Sequence, residues 1–139
     1  MSDFGPFDTI NQIKAANKAA GQFFFSADTV RGFESRVESD VLWGRYFVTS
    51  EATFDGKGRA FTIRCAEDNG HITTVGEFGK YGSIKDAKAD VREVAFYRFG
   101  YEDGEAGAPC RFHDDDYRWG YEAARRKAIQ TTNDDRSNA

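Results

Sequence analysis

The sequence predicts an α+β fold with the order α-α-β-β-β-α-α. It places N-terminal helices ahead of a three-stranded antiparallel meander, then a helix packed on the sheet and an extra C-terminal helix. Three observations carry this. Residues 45–49 and 61–65 are apolar-polar runs separated by the glycine-rich turn Asp55-Gly56-Lys57-Gly58. Asp68-Asn69-Gly70 is a second hairpin signal, suited to a type I′ turn, and leads into a third strand over residues 72–75. Behind the meander, Ile84, Ala87, Val91, Val94 and Ala95 recur at helical spacing.

The elements follow in order. Gly5-Pro6 breaks the lead-in, and Asp8 or Thr9 caps a helix running to about Ala20. Ile10, Ile13, Ala16 and Ala20 share one face of it, and Gly21 stands at its C-terminal end. Phe23-Phe24-Phe25 cannot all point one way on a regular element. Two belong to the core, one packs under the sheet, and an exposed one would mark a contact surface. Ser26 reads as the cap of a short second helix with Val30, Phe33 and Val37 on its inner side. On the second strand Phe61, Ile63 and Cys65 alternate with Thr62 and Arg64, the pattern of a sheet with one buried face. Ser83 caps the helix behind the meander, with Asp86 as the weaker form of a capping box.

Composition changes after Phe99. A domain over residues 1–99 is expected to give way to an appended segment, 100–139. Residues 100–109 read as a flexible acidic loop. Asp114-Asp115-Asp116 then opens a final helix, placing negative charge at its positive end. Tyr117, Tyr121, Ala124 and Ala128 form its inner face, Arg125-Arg126-Lys127 its last turn, and residues 131–139 a disordered tail.

With 139 residues and 40% hydrophobic content, the chain needs neither metal nor disulfide to fold. A net charge of −4 and a pI near 5.2 argue against a general nucleic-acid binder, whose affinity rests on neutralising phosphates. No apolar run suits a signal peptide or a membrane span, so a cytoplasmic protein with two free thiols, Cys65 and Cys110, is expected.

Ile13-Lys-Ala-Ala-Asn-Lys-Ala-Ala-Gly21, Phe24-Phe-Ser-Ala-Asp-Thr29, Phe33-Glu-Ser-Arg36, Gly44-Arg-Tyr-Phe-Val-Thr-Ser-Glu51 and Thr74-Val-Gly-Glu-Phe78 carry a resemblance. The stretch from about residue 10 to 95 is similar to a family of small uncharacterised proteins common in phages, prophages and plasmids. That family usually has Pro after the helix-capping Ser, where this chain has Ala27. The resemblance implies a mobile-element origin and a small α+β domain, and it assigns no activity. Accessory proteins of such elements often bind a host protein as defence antagonists.

Four kinds of chemistry are compatible with residue types in this chain. The helix-sheet-helix order, with Ser83, Lys85 and Lys88, resembles a double-stranded-RNA-binding domain. Ile84 replaces that domain's first lysine, however, and Asp86 and Asp90 interrupt the cluster, so capping accounts for it better. Cys65, His71, Cys110 and His113 form a zinc-type inventory without two close pairs, so no metal and no cofactor is expected. No phosphate loop, dinucleotide fingerprint or nucleophile elbow is present, so an enzyme is not expected. The acidic stretch remains. Glu102, Asp103, Glu105, Asp114, Asp115 and Asp116, with the aromatics Tyr101, Tyr117 and Trp119, form the expected contact surface for a host protein with a basic groove. The functional expectation is therefore a host-defence inhibitor of the anti-CRISPR kind. Nucleic-acid binding through Ser83, Lys85 and Lys88 is the alternative.

Overall fold

The computed structural model describes residues 5–25, 36–38, 42–53 and 57–137. Their elements are α1 (Ile10–Ala19), β1 (Arg36–Val37), β2 (Tyr46–Ala52), β3 (Arg59–Ala66), β4 (Ile72–Val75), α2 (Ile84–Ala106) and α3 (Asp115–Ser137). The class is α+β. The strands form one antiparallel sheet in the order β1-β2-β3-β4, so it has four strands where three were expected. The added strand is Arg36–Val37, paired through Arg36↔Ser50 and Val37↔Thr49. Val37 therefore lies on a sheet edge and not on the expected second helix, whose residues 26–35 lie outside the described residues. The chain divides into two compact units, Met1–Arg92 and Glu93–Ala139, and the division falls within α2, against an expected boundary after Phe99.

In the first unit, α1 begins on the expected chemistry. The Thr9 hydroxyl accepts from the Gln12 amide, and the Gln12 side chain accepts from the Thr9 amide in return, which completes a capping box. Gly21, at φ +78°, ends the helix: its amide donates to Lys18 and that of Gln22 to Asn17, the paired bonds of a Schellman motif. Ile13 is buried and packs with Phe7, Phe47, Ala66 and Ile72, while Ile10, Ala16, Phe24 and Phe25 close over this cluster. Asn17, not among the expected core residues, is also buried. Its amide nitrogen donates to the Gly70 carbonyl at 2.9 Å and its oxygen accepts from the Phe24 amide at 2.7 Å. The second hairpin is not type I′, because only Gly70 has positive φ. The Gly70 amide closes a turn onto Glu67, the arrangement of a three-residue loop with a glycine bulge. A side chain on Gly70 would sit 2.4 Å from the Ala16 carbonyl, so glycine here also lets α1 approach the hairpin.

The expected exposed face of the meander is buried. Thr49, Glu51, Thr62 and Arg64 share one face, set by the register Thr49↔Thr62 and Phe47↔Arg64, and all four are buried. Arg64 pairs with Glu51 at 2.9 Å, and its other nitrogens donate to Thr49 at 3.0 Å and Thr74 at 2.5 Å. The Thr49 and Thr62 hydroxyls donate to the two Glu51 oxygens at 2.7 and 2.8 Å. The Phe24 and Phe78 rings lie 5.2 and 5.4 Å from the guanidinium carbon. A buried charge is tolerated only when its partners are complete, and these are.

Candidate protein-binding site

The second unit contains the residues singled out for partner contact. Its fold corrects the expected loop: α2 continues without a break to Ala106. Gly100 and Gly104 lie inside that helix, four residues apart and so on one face. A side chain on Gly100 would sit 1.9 Å from the Tyr117 carbonyl, one on Gly104 2.5 Å from that of Tyr121, and one on Gly120 2.0 Å from that of Tyr97. The glycines therefore permit backbone-to-backbone contact between α2 and α3; they do not loosen the chain. The helix ends at Gly107, φ +70°, where Gly107 and Ala108 donate to Gly104 and Asp103 in a second Schellman motif, just before Pro109.

Asp103 holds the connection between the helices. Its Oδ2 accepts from the Tyr117 hydroxyl at 2.5 Å and from Arg111 Nε at 2.7 Å, and the Arg111 amide donates to the same hydroxyl at 3.0 Å. The Tyr121 hydroxyl donates to the Ala108 carbonyl at 2.6 Å. Phe112 packs edge-on against both Phe96 and Tyr117. Burial, and then the hydrogen bond to Asp103, push the Tyr117 phenol above its ordinary value. The hydrogen bond to Asp103 is the chief cause that raises the Arg111 guanidinium.

A stability consequence follows for Tyr117. A phenol with a raised folded pKa contributes stability that is complete below its ordinary value of about 10 and is lost as pH rises through the folded value. The melting temperature is expected to fall more steeply as pH rises above about 10 in the parent than in Tyr117→Phe, which has no phenol to ionise. Equal slopes in the two proteins would exclude this role.

The structure places the expected contact residues in three groups. Three serve the fold. Tyr117 is 0% exposed, so its assignment to an interface is corrected. Asp103 is taken up by Arg111 and Tyr117. Asp114 caps α3 by accepting from the Tyr117 amide at 3.1 Å. Three more have partners along their own helix or in a neighbouring ring: Glu102 pairs with Arg98, Asp115 with Arg118, and half-buried Tyr101 stacks on Tyr97. Of the remaining three, Glu105 is exposed, Asp116 is half-buried, and Trp119 is 53% exposed. Sequence reasoning missed Tyr97, which is 43% exposed; its spacing of four from Tyr101 was the available signal. It also missed Ile129, another exposed apolar residue of α3. At the start of α3, a cavity of about 420 Å³ is lined by Cys110, Arg111, Phe112, His113, Asp115 and Arg118, among others. Arg125-Arg126-Lys127 are not its last turn, because the helix runs on through the expected tail to Ser137.

The residues proposed for nucleic acid lie in the first unit. The Ser83 hydroxyl accepts from the Asp86 amide at 3.2 Å, so it caps α2, and Lys85 and Lys88 are exposed. Among the described residues, no group of three or more His, Cys, Asp or Glu side chains is placed to hold a metal ion. Cys65 is buried on β3 and Cys110 is exposed.

No curated protein and no solved structure matches the chain. Residues 9–92 match a family of unknown function, DUF7447, and the match ends at the last residue of the first compact unit. With more than half of its length matched, the chain belongs to that family.

Proposed function

We propose that this protein acts by binding another protein through the outer face of α3, with Trp119 as the anchor. The observation that carries the reading is the contrast between two aromatics on one helix. Tyr117 is completely buried, whereas Trp119, two residues later, keeps about half its surface open and serves no packing role of comparable size. Tryptophan is among the residues most enriched at interface hot spots. Asp115 and Asp116 lie one turn before Trp119 and Glu122 one turn after it, so the face suits a basic partner surface. The likeness of residues 10–95 to phage and plasmid proteins supports a mobile-element accessory protein. Its partner is then a host protein or complex in the bacterial cytoplasm, and antagonism of a host defence, as by an anti-CRISPR, is the corresponding role. Among the described residues no helix is long and apolar enough to cross a membrane.

Affinity capture from host lysate, with parent and Trp119→Ala baits read by mass spectrometry, tests this. Against the partner captured by the parent, Trp119→Ala is expected to bind about 30-fold more weakly with an unchanged melting temperature. The acidic component is wrong if Asp115→Lys with Asp116→Lys binds as well as the parent. A second reading, nucleic-acid binding at residues 83–88, is favoured by the exposure of Lys85 and Lys88. It predicts salt-dependent binding of duplex RNA or DNA that is abolished by Lys85→Glu with Lys88→Glu.

A further inference from the structure

We infer that the exposed side of α1 and the adjoining Phe23-Phe24-Phe25 turn form a site for single-stranded nucleic acid, with Phe23 as a base-stacking platform and Lys14 and Lys18 as phosphate contacts. The inference is independent of the α3 surface and of residues 83–88.

Phe24 and Phe25 pack against the core, while Phe23 is 56% exposed. Its outward position is built in. Phe23 has φ +58°, in the left-handed region that a phenylalanine rarely occupies. The residues on either side are tied to the sheet. The Phe24 amide donates to Asn17 Oδ1, and Asn17 donates to the Gly70 carbonyl. Gln22 exchanges bonds of 2.6 and 3.1 Å with the backbone of Ile72. This network holds a strained residue with its ring turned to solvent, an arrangement that core packing does not require.

The surroundings are cationic. α1 contains no Asp or Glu, and Lys14 and Lys18 lie one turn apart on its exposed side. Among the described residues neither lysine pairs with a carboxylate, and the Lys14 ammonium lies 5.6 Å over the Phe25 ring. Lys14, Asn17, Lys18, Phe23 and Phe25 line a cavity of about 230 Å³. A cavity of about 150 Å³ accommodates benzene, so this one has room for a single base-sized ring. The whole-chain charge does not oppose the assignment: residues 93–139 carry three of the four net negative charges, which leaves the first unit near neutral.

Ligand class follows from the side chains. Lysine is depleted in protein-protein interface cores but is a standard phosphate contact. An open aromatic ring beside lysines matches the stacking platforms of single-strand binders. A duplex would keep its bases stacked and offer nothing to Phe23. Asn17, the polar side chain in the cavity, has both its oxygen and its amide nitrogen engaged within the protein, so it reads no base edge and binding should tolerate any sequence.

The test is fluorescence anisotropy with a labelled oligo(dT) of about 12 nucleotides and the full chain, from about 50 to 200 mM salt. The parent is expected to bind with a log-log salt slope of about −1.4, from two lysine contacts at about −0.7 each. Phe23→Gly should weaken binding about tenfold without changing that slope, and Phe23→Trp should restore it. Glycine suits the positive φ, so the loss cannot come from a misfolded turn. Lys14→Gln with Lys18→Gln should flatten the slope. Absence of binding at the lowest salt, indifference to Phe23→Gly, tighter binding of duplex than of single strand, or loss only with Lys85→Glu and Lys88→Glu would each overturn the assignment. Capture of a protein whose binding depends on Phe23, without oligonucleotide binding, would overturn it too.

Discussion

Gly100→Ala is expected to destabilise the α2–α3 hairpin by about 3 kcal/mol or more. Two effects oppose each other. Replacing a helical glycine with alanine gains about 1 kcal/mol in propensity. Here, however, the added methyl would lie 1.9 Å from the Tyr117 carbonyl oxygen and 2.9 Å from the Tyr121 amide, and both are backbone atoms of a helix. No side-chain rotation relieves such a contact, so α3 must move away. That movement strains the Asp103–Tyr117–Arg111 junction and opens the packing of Phe112 on Tyr117. The steric term is therefore expected to exceed the propensity gain several-fold. Hydrogen exchange of amides in residues 97–104 and 117–124 measures the effect where it arises. Gly82→Ala is the control, because nothing lies within 4 Å of its added carbon; it should stay within about 0.5 kcal/mol of the parent. Normal protection in Gly100→Ala would show that the helices do not touch through their backbones.

Arg64→Ala is expected to cost the first unit about 3–5 kcal/mol. The loss comes less from the missing attraction than from what remains: Glu51 is 1% exposed and would be left buried without its cation, facing the two hydroxyl donors Thr49 and Thr62. Removing the arginine also withdraws the cation between Phe24 and Phe78 and the bonds to Thr49 and Thr74. Replacing both members, Arg64→Met with Glu51→Leu, should recover most of the loss, because no charge is left buried. Urea unfolding of the two single variants and the double variant gives the coupling energy directly. A single-variant cost below about 1 kcal/mol, typical of an exposed pair, would mean that the pair is not enclosed as described.

These two sites also mark where the sequence stopped being legible. Local chemistry announced itself. Thr9, Gly21, Ser83 and Asp114 each end or begin a helix through bonds to residues within a few positions, and these ends were readable from residue type and spacing, although the choice between Asp8 and Thr9 was not. Gly100 and Gly104 were misread because glycine has two opposite uses, freeing a chain and letting two helices meet. The companion signal, Gly120 with Ala124 four residues later, lies on another helix. Arg64 was placed on a solvated face because alternation along one strand says nothing about its neighbours. Its partner Glu51 reaches it only through the β2–β3 register.

The candidate site shows the same division. Acidic and aromatic residues over 101–119 were visible as a cluster, but composition cannot separate an interface from a helix junction. Tyr117 and Trp119 look alike in sequence; one is sealed by Asp103 and Phe112, and the other is open. Caps, turns and periodicity act over a few residues, so the α+β class, the meander and most helix starts are written in the chain. The tertiary structure alone decided which faces are buried, which glycines are contacts and which aromatics remain for a partner. Burial depends on groups brought together from distant positions, as when the Tyr117 hydroxyl finds its acceptor 14 residues earlier on another helix.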